Sequence, residues 1–152
     1  MIDFKKLKEL RKKTGVSFST CKKVLEESKN DIKKAEKMLI ALGETKIKEK
    51  SGKKTKAGQI FSYVHHNGHV ASLVELQCET DFVSDNQEFK NLGHDLAMQI
   101  ASLKPKTIKE LLNQDFIKDP TKKISELINE SVLKFGEKII IFRIIVWSLG
   151  EK

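Results

Sequence analysis

The stretch IFSYVHHNGHVASLVELQCETDFV, residues 60–83, decides how this chain folds. Ile60 to His66 reads as a strand, Asn67-Gly68 is the strongest short signal for a two-residue type I′ turn, and His69 to Glu79 runs back. On the return strand Val70, Val74, Leu76 and Cys78 share one face, while Glu75, Gln77 and Glu79 take the other. That split predicts one packed face and one wet one. Behind the hairpin, Thr80-Asp81-Phe82-Val83 leads into Ser84-Asp85-Asn86, any of which can cap a helix beginning near Gln87. Phe89, Leu92, Leu96, Ile100 and Leu103 follow the helical period. Gly93, Ala97 and Ala101 are small enough for close approach to a sheet, and Pro105 marks the helix end.

Downstream, Ile108 to Asp119 is a connecting stretch with the short apolar pieces Leu111-Leu112 and Phe116-Ile117. A last helix is predicted over Ile124 to Phe135, with Ile124, Leu127, Ile128, Val132 and Phe135 inward and Gly136 as its stop. Ile139 to Leu149 reads as a strand apolar on both faces apart from Arg143 and Ser148. Such a strand belongs in the centre of a sheet or against a partner, because a bare apolar edge invites aggregation. Two hairpin strands, two helices and one strand define an α+β body with a three-stranded, mainly antiparallel sheet.

Upstream, residues 3 to 43 read as three short helices. Asp3, Ser17 and Asp31 stand at their starts as caps, and Gly15 and Gly43 are placed to stop the first and third. The stripes are Phe4, Leu7 and Leu10, then Phe18, Cys21, Val24 and Leu25, then Ile32, Ala35, Leu39 and Leu42. None of the helices is long enough to be stable alone, so the stripes must bury one another. Phe4 and Phe18 are assigned to that core. The expected organisation is a three-helix domain at 1–43, a basic linker at 44–56 and an α+β core at 57–152.

The formal charge of +8 is unevenly spread. Residues 1–56 hold 18 Lys/Arg against 8 Asp/Glu, whereas residues 57–152 hold 11 against 13. A basic front section of this kind can meet an acidic protein or RNA, or can simply be a solvated face. Aromatic residues free for base stacking are not expected there, so no specific nucleic acid is expected as a partner. Cys21 and Cys78 form no disulfide framework, the start lacks an apolar leader, and the run Ile139 to Val146 is far below the roughly 20 residues that cross a bilayer. A cytoplasmic protein without membrane contact is the expectation.

His65, His66, His69 and His94 do not read as a metal site, since adjacent strand residues point oppositely. Gly-rich phosphate loops are missing, and Asp81, Asp85 and Glu88 cluster as caps and dipole partners do. Neither catalysis nor a cofactor is expected. Phe82 is the informative residue, with two readings open. Its ring either tucks under the following helix or projects with Asp81 from a strand-to-helix corner as an interface anchor.

Several runs carry a family resemblance. In front are Leu7-x-x-Leu10-Arg11-x-x-Thr14-Gly15-Val16, Cys21-Lys22-x-Val24-Leu25-Glu26-Glu27 and Asp31-x-x-x-Ala35-x-x-x-Leu39. In the body are Gly58-x-Ile60-x-x-Tyr63-x-His65, Val74-Glu75-Leu76-x-Cys78-Glu79-Thr80-Asp81-Phe82-Val83 and Phe89-x-x-Leu92-x-x-Asp95-Leu96-Ala97-Met98. Leu111-Leu112-x-Gln114-x-Phe116 and Gly136-Glu137-x-Ile139 complete the set. The chain resembles the bacterial elongation factor Ts family, the exchange factors of elongation factor Tu. The Cys-Glu-Thr-Asp-Phe-Val run is the specific part of the match.

The resemblance implies a ubiquitin-associated-like fold for the three-helix module and a dimerisation-type core behind it. It implies binding to elongation factor Tu, GDP-bound and nucleotide-free, with dislocation of the magnesium ion by Thr80, Asp81, Phe82 and Val83. Phe82 would wedge between histidines of the GTPase, Asp81 would hold that contact, and Leu7 and Val16 would be contacts of the front module. Homodimers through the core sheet are also implied, with Trp147 as an anchor. This chain departs from the family in having few residues between Pro105 and Leu111, and in Asp115 where a proline is common. A small basic ribosome- or RNA-associated protein is the competing expectation.

Overall fold

Helix α1 (Phe4–Thr14) opens with the Asp3 carboxylate accepting from the amides of Lys5 and Lys6. Ser17 caps α2 (Phe18–Glu27) through the amide of Thr20, and Asp31 caps α3 (Ile32–Glu49) through that of Lys34. Each cap satisfies amides that an isolated helix start leaves bare. The computed structural model describes residues 1–151. The chain gathers into two units, residues 1–52 with 128–136 and residues 53–127 with 137 onward.

In the first unit Leu7, Leu10, Val16, Cys21, Val24, Leu25, Ala35 and Leu39 form one buried cluster. Two expectations need correcting. Phe4 and Phe18 are 63% and 47% exposed, because both sit in the first turn of their helices while the cluster is filled by the positions after them. Gly43 does not stop α3, which continues to Glu49 through residues of good helix propensity. Gly43 is buried within the helix, where an added Cβ would fall 2.4 Å from the carbonyl oxygen of Asn129. Leu133, beyond that residue, also packs against the cluster.

The second unit is built on the hairpin of β1 (Ala57–Val64) and β2 (Val70–Cys78). Its turn differs from the expected one. The amide of Gly68 donates to the carbonyl of His65, so His66 and Asn67 are the central residues, and Gly68 follows at φ +74. A left-handed glycine after such a turn matches the right-handed twist of the strands. Beyond β2 come the single turn α4 (Asp81–Ser84) and the helix α5 (Gln87–Leu103). The connecting stretch folds into α6 (Ile108–Asn113) and the small hairpin β3 (Asp115–Phe116) with β4 (Asp119–Lys123). Gln99 on α5 is fully buried and explains this. Its amide donates to Gln114 and to the carbonyl of Asp115, and its oxygen accepts from the amide of Ile117.

Helix α7 (Ile124–Phe135) leads to β5 (Ile139–Ser148). The sheet order is β1-β2-β5, antiparallel throughout, so the apolar last strand is an edge and the hairpin's return strand is central. Between Leu76↔Ile141 and Glu75↔Arg143 the register shifts, leaving Phe142 as an extra residue. That bulge lets Arg143 stand opposite Glu75 on the face away from α5. On the covered face, Gly93 of α5 passes so close to β1 that a Cβ there would fall 2.1 Å from the Phe61 ring.

Candidate functional site

Strand β2 leaves the sheet after Cys78, and within four residues the chain is helical again. Val83 and Ser84 are buried beneath this corner, whereas Thr80, Asp81 and Phe82 face outward. The Phe82 ring is 93% exposed. An isolated turn of four residues would not hold its shape. Here it is fastened from several sides. The amide of Ser84 donates to Thr80 and that of Asp85 to Asp81, closing the turn itself. The Gln59 side chain on β1 donates to the carbonyl of Ser84 at 2.7 Å. The Cys78 thiol donates to the carbonyl of Thr80 at 3.3 Å. Burial, joined by the nearby Glu137 charge, pushes that thiol up to about 11, so it stays a protonated donor at neutral pH.

Glu137, just before β5, completes the fastening. One carboxylate oxygen accepts from the amides of Glu79 and Thr80 at 3.2 and 3.0 Å, and the other from the Thr80 hydroxyl at 2.6 Å. In return the Glu79 carboxylate accepts from the amide of Lys138 at 3.0 Å. In the sequence Glu137 is one member of the run Gly136-Glu137-x-Ile139, with no role of its own legible there. Its partners lie 57 and 58 residues away, and nothing local in the sequence signals them.

Of the other expected site residues, Val83 is 8% exposed and serves as the pin under the corner. Leu7 and Val16 are each 1% exposed and belong to the first unit's core. Their side chains hold the module together, which corrects the expectation that they are surface contacts. Beside Asp81, a shallow recess is lined by Thr55, Gln59, Glu75 and Gln77. Among the histidines, the His65 and His66 rings lie 4.2 Å apart and Tyr63 bonds His65 at 3.1 Å. Among the described residues no three His, Cys, Asp or Glu side chains converge as metal ligands would.

A second surface is the sheet face away from α5. Ile60, Val64, Leu73, Ile145 and Trp147 are exposed on it, between 43% and 70%. Val64, Ala71, Leu73, Ile145 and Trp147 line an apolar groove there. Arg143 and Glu75 pair across the middle at 2.9 Å. No helix among the described residues is long and apolar enough to cross a membrane.

Two family models match this chain. One described as Elongation factor TS covers residues 79–152, and one described as Elongation factor Ts, mitochondrial, N-terminal covers residues 2–44. Elongation factor Ts of Thermotoga neapolitana is 34% identical, over 96% of this chain and 96% of its own. That of Thermotoga maritima is also 34% identical, over 95% of this chain and 94% of its own. The protein of the same name from Coprothermobacter proteolyticus is 32% identical, over 95% and 96%. These matches place the chain in the class of translation elongation factors. Within that class it belongs to the elongation factor Ts family.

Proposed function

We propose that this chain binds elongation factor Tu carrying GDP, displaces the magnesium ion and so promotes GDP release, leaving the GTPase ready for GTP. The observation that supports this reading is the Phe82 ring, 93% exposed on a turn fastened by Glu137, Gln59 and Cys78. A large apolar ring held in water at a fixed position costs solvation that contact with a partner recovers. Asp81 stands exposed beside it to orient the contact. Magnesium neutralises the nucleotide's phosphates, so its displacement leaves repulsion to help expel GDP.

Such a factor performs no bond chemistry and needs no cofactor. It has to bind the nucleotide-free GTPase better than the loaded one. The front module would add affinity through exposed groups such as Phe18 and the lysines of its helices, while Leu7 and Val16 fix the module from within. For the open sheet face the reading is a second copy of this chain. The exposed apolar residues form one patch, and its central charges are already paired within the protomer, so no net charge opposes self-approach. The cytoplasm is where this work would be done.

Stopped-flow release of a fluorescent GDP analogue from elongation factor Tu tests the reading. The chain, at concentrations below that of the GTPase, accelerates release in multiple turnovers. Release at the spontaneous rate, at every concentration of the chain, overturns it.

A further inference from the structure

We propose that Glu137 is a positioning residue that sets the angle at which Phe82 is presented, without itself touching a partner. This rests on the exchange reading above. Backbone pairing between β2 and β5 ends at Cys78↔Ile139. Past that pair the next amides, those of Glu79, Thr80 and Lys138, are taken up by the carboxylates of Glu137 and Glu79. The ladder is thus continued by side chains. This lets β2 turn out of the sheet without leaving amides unsatisfied. A purely backbone ladder would carry Thr80 and Asp81 onward as strand.

The Thr80 hydroxyl shows the same diversion. Thr80 occupies the cap position of α4, where such a hydroxyl ordinarily accepts from the helix's own amides, yet it makes no capping bond. It donates to Glu137 instead, at 2.6 Å. A turn of four residues without its own cap is therefore oriented from outside, by the chain just ahead of β5. Three bonds, two from amides and one from a hydroxyl, converge on one carboxylate, and charged acceptors make such bonds stronger than neutral ones. Phe82 lies two residues beyond the anchored Thr80, so a tilt at that point moves the ring directly.

Three variants and two readouts test this. Glu137→Gln keeps an oxygen able to accept from both amides, and Glu137→Ala removes every acceptor. Glu137→Asp draws the carboxylate back by one carbon and carries the test if the alanine variant does not fold. In the chain alone, hydrogen exchange at the amides of Ser84 and Asp85 should accelerate about tenfold or more in the alanine and aspartate variants. It should rise less in the glutamine variant, which keeps the two amide bonds but loses the charge and the acceptor of the Thr80 hydroxyl, and change little in the core of α5. With elongation factor Tu, the maximal GDP-release rate of the alanine variant should fall about tenfold or more, while the concentration giving half that rate moves less. In a Phe82→Ala background the same change at Glu137 should have no further effect on that rate, since no ring remains to be aimed. Equal losses in both backgrounds, or unchanged exchange at Ser84 and Asp85, would overturn the proposal. Failure of the wild-type chain to release GDP would instead overturn the exchange reading, and the exchange experiment on the free chain would still decide whether Glu137 orders the corner.

Discussion

Replacing Phe82 with alanine separates a ring that holds the protein together from one that acts on something else. In the free chain the side chain is 93% exposed, so its removal opens no cavity and gives up almost no burial. Unfolding free energy should therefore stay within about 0.5 kcal/mol of wild type. In a complex the same ring would bury its whole surface, worth about 2–3 kcal/mol. At 1.4 kcal/mol per factor of ten, that range corresponds to about 30- to 150-fold. If the ring drives the distortion that frees GDP, the deficit appears in the maximal release rate. If it only adds affinity, the half-saturating concentration rises and the maximal rate survives. The assay is stopped-flow release of labelled GDP over a range of variant concentrations, paired with a urea melt of the variant alone. A variant that melts like wild type and exchanges at the wild-type rate would show that the ring does not act on the GTPase. One that loses stability by several kcal/mol would show instead that the ring holds the fold together.

Gly93→Ala should destabilise by about 1–3 kcal/mol in urea, since the new methyl would meet the Phe61 ring and the overpacking outweighs the gain of up to about 1 kcal/mol in helix propensity. The wild-type chain should sediment as a dimer and Trp147→Glu, on the open sheet face, as a monomer at the same concentration; equal sedimentation of the two would contradict pairing through that face. Cys78 should make stability depend on alkaline pH. Burial raises its thiol from 9.0 to about 11, so the folded chain holds a proton that the unfolded chain has lost. This contribution is full below pH 9 and is lost as pH rises towards 11. The difference between wild type and Cys78→Ala should shift across that window, and parallel pH profiles would contradict it.

Much of this architecture is legible because it is local. Asp3, Ser17 and Asp31 cap the helices they precede, and the alternation of Val74, Leu76 and Cys78 faces α5 as the pattern requires. The α+β class and the three-stranded sheet follow from the same periodicities. What escapes is what depends on distant partners. The small β3–β4 hairpin is fixed by the buried amide of Gln99, and periodicity treats that residue as one more polar position on a helix. Gly43 reads as a helix stop only until the Asn129 backbone is seen against it. Phe4 and Phe18 match a helical stripe, yet a first-turn position can match the period and still lie at the rim. At the candidate site, sequence singles out Phe82 but leaves its direction open, and the run that holds Glu137 gives no sign that its carboxylate reaches Thr80.

An exchange factor has to tell a nucleotide-free GTPase from a loaded one. Titration calorimetry with elongation factor Tu, once stripped of nucleotide and once saturated with GDP and magnesium, measures that preference directly. Linkage requires the ratio of the two affinities to equal the factor by which the chain weakens GDP binding. A distortion worth about 4 kcal/mol predicts roughly a thousandfold tighter binding to the empty form. Equal affinity for the two forms would rule out a role in exchange.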